Sequence, residues 1–154
     1  MQINIYSYTP NTLHPKTLFM EIKQAWYRIS VKALIYNDKW EFLLCKESSW
    51  VWDLPGGWLD HWENPRDCVK REVLEEMWLE VTWISEEPKY FITAHKIESK
   101  SRPWLANVFY EVKVKDLDFI SSDECVEIWF FDTNTVKDIE VFVNVAEFVK
   151  ELSK

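Results

Sequence analysis

Glu72, Glu75 and Glu76 lie within one short stretch, Arg71-Glu72-Val73-Leu74-Glu75-Glu76. On a helix, side chains three and four apart are neighbours, so this spacing gathers the carboxylates on adjoining parts of one surface. Like charges that close repel, and a hard divalent cation with oxygen ligands removes the repulsion. A solvated acidic face is the commoner reading of a Glu-rich helix, and the helix alone favours it. The loop before it favours the cation: Leu54-Pro55-Gly56-Gly57 carries both glycines of the chain. Glycines let backbone carbonyls and amides come close to a metal ion or a phosphate.

Such carboxylates need a helix with a defined start. Asn64 is placed as an N-cap, Pro65 as the first helical residue, where its missing donor costs nothing, and Asp67 in the first turn facing the helix dipole. The helix is expected to run to about Met77, with Val69, Val73 and Met77 as the apolar stripe that packs it. Alternation predicts a strand over Tyr27 to Tyr36 and a partner strand over Glu41 to Lys46, joined by a tight turn at Asn37-Asp38-Lys39-Trp40. Further strands are expected over Leu79 to Ile84, Tyr90 to His95, Trp104 to Val114 and Glu127 to Phe131, each rich in β-branched or aromatic residues. An amphipathic helix over Asn144 to Leu152 closes the chain, with Val145, Phe148, Val149 and Leu152 at helical spacing. The elements make a mixed α+β domain. Residues 1–25, with a short helix around Phe19, Met20 and Ile22, read as an extension packed on a domain of residues 26–154.

From Gly57, five residues lead to Glu63, and seven more lead to Arg71-Glu72-Val73-Leu74-Glu75-Glu76-Met77-Trp78-Leu79. This run resembles the box of the Nudix hydrolases, MutT-like proteins with the pattern Gx5Ex7REUxEExGU, where U is aliphatic. It departs from it where Trp78 stands in place of Gly. The likeness extends from about Tyr27 to Val149, through the first hairpin, the Trp52-Asp53-Leu54-Pro55-Gly56-Gly57 approach and the closing helix. It implies an α/β/α sandwich, a mixed sheet between helices. It also implies Mg²⁺- or Mn²⁺-dependent hydrolysis of a phosphoanhydride bond in a nucleoside diphosphate derivative: a nucleotide sugar, ADP-ribose or a nucleoside triphosphate. Carried over by position, Glu72, Glu75 and Glu76 are metal ligands, the Gly56 carbonyl adds another, Arg71 orients Glu72, and Glu63 supports the loop. Glu72 or Glu76 takes the proton of the attacking water. The family also uses acids outside the box as base, for which Asp123, Glu124 and Glu127 are the candidates. Family members often pair as dimers, and substrate choice lies in loops such as 97–103. A Nudix-fold domain that binds a nucleotide or protein without cutting it is the alternative. Its mark would be lost box carboxylates, and none is lost. An isoprenoid diphosphate isomerase on the same fold would need an additional Cys and Glu pair in a recognisable context.

Composition narrows the classes. The 154 residues suit one domain, and 47% hydrophobic content suffices for its core. A net charge of -8 opposes polyanion binding by charge alone, which argues against a nucleic-acid duplex as partner. The start of the chain carries no basic leader before an apolar run, and no segment has bilayer-spanning length, so a cytoplasmic protein is expected. Cys45, Cys68 and Cys125 lack Cys-x-x-Cys spacing and read as small core residues. His14, His61 and His95 share no ligand spacing. Trp52, Phe91, Trp104 and Tyr110 read as core aromatics rather than a base-stacking platform.

Two glycines stand against ten tryptophans, where an average chain of this length holds about 11 glycines. Trp40 closes a tight turn, Trp62 precedes Glu63 in the box loop, and Trp78 follows the helix where a left-handed cap is wanted, all sites suited to Gly. Trp50, Trp83 and Trp129 are further candidates. Glycine at all six positions would leave four tryptophans and raise glycine to eight, an ordinary composition. The expectation is a gene whose UGA codons mean glycine, translated as though they meant tryptophan.

Overall fold

Alternation along the first two strands decides the layering. In this computed structural model, which describes residues 27–94 and 104–154, the first strand is Tyr27–Leu34 (β1) and the second Phe42–Lys46 (β2). Successive side chains leave a strand on opposite faces, and here both faces carry apolar residues. Val31, Ala33, Leu43 and Cys45 join Val69, Val73 and Met77 of the helix Pro65–Met77 (α1) in one core. Leu34, Phe42 and Leu44 join Val145 and Phe148 of the helix Val143–Leu152 (α2) in another. A sheet apolar on both faces must be covered on both. The two helices do this, giving the α/β/α sandwich.

Between the helices run Trp52–Asp53 (β3), Val81–Ile84 (β4), Tyr90–Ala94 (β5), Trp104–Val114 (β6) and Glu127–Phe131 (β7). One sheet centres on β6, which pairs in parallel with β1 and antiparallel with β4 and β5; the other has the order β3-β2-β7. The architecture is thus mixed, as the sequence implied. The expected β1–β2 hairpin survives only at its closed end, where Leu43 donates to the Ile35 carbonyl and Tyr36 bridges Phe42. The reason is that β1 has no free edge. β6 takes one side, and on the other Val31 and Ala33 donate to the carbonyls of Gly57 and Pro55. β2 therefore pairs with β7 and β3. The extension at 1–25, His14, His95 and the loop at 97–103 lie outside the described residues.

α1 begins and ends as its residues dictate. The Asn64 side chain accepts from the Arg66 amide, Pro65 opens the helix, and the chain leaves through a left-handed C-cap whose amide donates to the Leu74 carbonyl. That cap residue is Trp78, at φ +58°. Trp40, Trp50 and Trp62 also hold positive φ, at +62°, +70° and +67°. Among the described residues these four tryptophans are the non-glycine positions in the left-handed region. Trp83 and Trp129 lie inside β4 and β7, where the backbone does not ask for glycine, so conformation lends those two positions no support. All three cysteines are buried and unbridged.

Candidate active site

The box loop and α1 meet at Gly56 and Gly57. The Gly56 amide donates to Glu76 Oε2 at 2.9 Å. Gly57 faces Glu72 so closely that a Cβ there would stand 2.6 Å from the Glu72 carboxylate. Glu72 and Glu76, one helical turn apart, therefore converge on the same two backbone units. Glu72 is buried, with only 8% of its surface exposed. Burial raises the pKa of both: that of Glu72 is lifted despite Arg71 beside it, and that of Glu76 is pushed up to about 8 against the opposing pull of Lys32.

Arg71 braces this pair from the side. Its guanidinium donates to both Glu63 oxygens, at 2.8 and 3.0 Å, and to Glu72 Oε1 at 2.7 Å and Glu75 Oε2 at 3.0 Å. The hydrogen bonds from Arg71 hold Glu63 at about 2, far down the carboxylate range. Arg71 thus holds Glu72, and Glu63 in turn holds the arginine. Glu75 is turned outward to Arg71, with its side chain 56% exposed.

Lys32 was not singled out in the sequence. It is 5% exposed, and its ammonium donates to Asp53 Oδ2 and to the Leu54 and Gly56 carbonyls. Burial works against its charge, but the Asp53 and Glu76 carboxylates overcome this and its pKa lies above the ordinary value. Asp53 also accepts from Asn144 Nδ2 at 2.6 Å and from the Leu54 amide at 2.7 Å. The first turn of α2, β1 and the glycine loop are thereby tied through one carboxylate. The sequence did hold a signal: Lys32 stands at an inward position between Val31 and Ala33, where a charge persists only if it is paired.

A cavity of about 750 Å³ opens beside these groups. Glu72, Glu75, Glu76, Arg71, Gly56 and Gly57 line it, as do Lys32, Asp53, Arg28, Asn107 and Asn144. Of the three acids outside the box proposed from the sequence, Glu124 lines the cavity, where it joins Glu47 and Asp53. Asp123 does not, and Glu127 pairs with Lys46 at 3.0 Å. The aromatic residues in the lining are Trp58 and Phe142. Trp52 and Tyr110 are core, while Phe91 and Trp104 are exposed and do not line the cavity.

Carboxylate oxygens and backbone carbonyls suit a hard divalent cation, and the absence of Cβ at Gly57 leaves room for the Glu72 carboxylate against the loop. Among the described residues no three acids close on one point as a finished cage. Arg71 draws Glu75 aside, and the Gly56 carbonyl faces Lys32. Glu72 and Glu76 on the glycine loop are the donors that the geometry brings together. No helix among the described residues is long and apolar enough to cross a membrane.

The NUDIX domain family matches residues 26–152. Among solved structures, the MutT protein from Methanosarcina mazei Go1 is similar at 26% identity and a TM-score of 0.67, over 82% of this chain and 91% of that one. An ADP-ribose pyrophosphatase from Streptococcus suis 89-1591 is similar at 23% identity and 0.58, over 82% and 92%. A UDP-X diphosphatase is similar at 17% identity and 0.67, over 85% and 66%. No curated protein matches the sequence.

Proposed function

Starting from the fact that the chain belongs to the Nudix family, we propose that it hydrolyses a phosphoanhydride bond in a nucleoside diphosphate derivative with the help of Mg²⁺ or Mn²⁺. The observation that carries this is the meeting of Glu72 and Glu76 with Gly56 and Gly57 at the wall of a cavity large enough for a nucleotide. The relatives' names point to the same bond, cut in UDP-linked compounds by one and in ADP-ribose by another.

Glu72, Glu76 and, once released from Arg71, Glu75 would hold the cation. When bound, it neutralises the diphosphate and lowers the pKa of a water. Arg71 keeps Glu72 in place against the loop, and the Gly56 amide keeps Glu76 Oε2. Lys32 fixes the loop from behind by holding Asp53 and the Gly56 carbonyl. Glu72 or Glu76 accepts the proton of the attacking water on a carboxylate oxygen. Glu124 and Glu47 are acids outside the box on the cavity wall, as is Asp53, which is already held by Lys32 and Asn144.

The test is product release from a panel of nucleoside diphosphate derivatives with Mg²⁺, compared with Glu76→Gln. Loss of a catalytic acid or base costs about 10²–10⁴-fold in rate, so turnover should fall by at least about 100-fold. Turnover indifferent to Glu76→Gln would overturn the role given to Glu76, and none across the panel while nucleotides still bind would favour a domain that binds without cutting.

A further inference from the structure

The cavity is rich in acids, and of its three lining cations two are committed. Lys32 is held by Asp53 and the loop carbonyls, and Arg71 by Glu63, Glu72 and Glu75. Arg28, near the start of β1, has no carboxylate partner among the described residues. Its guanidinium carbon lies 3.7 Å from the centre of the Trp58 ring. An arginine stacked on an aromatic face loses rotamer freedom, while its N–H donors remain free for an oxyanion. The Trp58 backbone is held in place: it bridges Ser30, and its carbonyl accepts from Arg71 Nη2 at 3.2 Å. The guanidinium thus stands over a ring whose backbone is anchored one residue past the glycine loop.

We propose that Arg28 on Trp58 is a subsite for an anionic group beyond the bond that is cut, and that the substrate is accordingly a nucleoside triphosphate rather than a nucleotide joined to a neutral sugar. The inference rests on the hydrolase reading above. Acidic walls repel a polyphosphate. A cation at Glu72 and Glu76 answers the charge there, and a phosphate reaching toward the start of β1 meets Arg28 as its counter-charge. A neutral sugar in that place would need no such group.

Two measurements test it. The first compares kcat and KM for a nucleoside triphosphate and a nucleoside diphosphate sugar in the chain, in Arg28→Gln and in Arg28→Lys. The second is binding of a non-hydrolysable imido triphosphate analogue to Glu76→Gln, with and without Arg28→Gln. A charge-assisted contact carries roughly 10- to 100-fold. Arg28→Gln should raise KM for the triphosphate by about 10-fold or more with kcat little changed, leave the sugar substrate unaffected, and weaken analogue binding to a like extent. Arg28→Lys should fall between. Equal effects on both substrates, or no effect, would overturn the subsite. If the hydrolase reading fails, turnover is absent or indifferent to Glu76→Gln, and analogue binding alone decides: unchanged binding sinks Arg28, weakened binding supports it.

A different observation carries a second inference. The non-glycine residues at positive φ among the described positions are Trp40, Trp50, Trp62 and Trp78, and all are exposed. Each sits at a chain reversal. Trp40 and Trp50 donate back across their turns to Asn37 and Glu47, Trp62 lies within the Asp60 to Glu63 turn, and Trp78 caps α1. A bulky aromatic in the left-handed region is rare, and glycine is the residue that such turns select. We infer that the natural protein has glycine at these four positions, encoded by UGA. Sequencing of the source gene, with peptide mass spectrometry of the protein from its source cells, should show UGA codons and glycine at all four. UGG, or tryptophan in the natural peptide, at any of them would overturn it.

Discussion

Gly56 and the four turn tryptophans all hold the chain at positive φ, +112° at the glycine and +58° to +70° at the tryptophans. Their surroundings differ. A Cβ at Gly56 would collide with the Val31 carbonyl oxygen and press on the Lys32 backbone, inside the loop that carries the candidate site. The tryptophan side chains project into solvent. At Gly56 conformation and space both exclude a side chain. At the turns only conformation objects, and the strain is about 1–2 kcal/mol per position. A fold with the usual margin of about 5–15 kcal/mol can carry strain of the second kind. Strain of the first kind takes a larger share of that margin and displaces the loop of the candidate site.

The largest expected effect comes from giving the loop what the turns already have. Gly56→Ala combines an unfavourable φ with a backbone collision and should destabilise by about 3–5 kcal/mol, read as a lowered denaturant midpoint. An undiminished midpoint would erase the contrast. The neighbouring glycine sharpens it, because a Cβ at Gly57 meets the far end of Glu72 rather than backbone. Gly57→Ala should therefore leave stability within about 1 kcal/mol while lowering kcat by about 100-fold through the displaced carboxylate, seen in steady-state rates.

Charge gives a third test on the loop side. The carboxyl of Glu76 titrates in the fold at about 8 against an ordinary 4.5. A raised acid stabilises the protonated fold, so this contribution is whole below pH 4.5 and is lost as pH rises through about 8. In EDTA, Glu76→Gln should melt above the parent chain at pH 8, with the gap closing toward pH 4.5. A gap independent of pH would show that burial does not set this carboxyl.

The turns answer with smaller changes of opposite sign. Trp78→Gly, and its counterparts at 40, 50 and 62, should each stabilise by about 1 kcal/mol, raising Tm by about 2–4 °C apiece. The same change at Trp83 or Trp129, in strands without positive φ, should give no gain and cost up to about 1 kcal/mol, since glycine weakens a strand. Equal gains at all six would break the link between φ and benefit.

Much of the site was legible because it is local. A helix converts spacing into proximity, so Glu72, Glu75 and Glu76 were gathered by sequence alone, and the caps at Asn64, Pro65 and residue 78 marked its ends. The strands at 104–114 and 127–131 were equally plain, being long or strongly β-prone. Lys32, Asp53 and Asn144 were not legible as a group, because their contacts span 21 and 91 residues. Nor was the loss of the simple hairpin, which depends on the box loop taking the free edge of β1.

By itself, the sequence determined the family, the layered α/β/α fold, the glutamate helix and the turns that call for glycine. The family and its layering follow from the likeness of residues 57–79 to the Nudix box, and the helix and turns from short-range periodicity, capping and backbone stereochemistry. Only the tertiary structure decided that Glu72 and Glu76 face the glycine loop while Glu75 turns to Arg71. It also decided that Glu124 and Glu47 reach the cavity, that Lys32 is buried behind the loop, and that Arg28 stands over Trp58. Those outcomes depend on which distant segments compete for the same edge, cavity and charge, and that competition is resolved only when the chain packs.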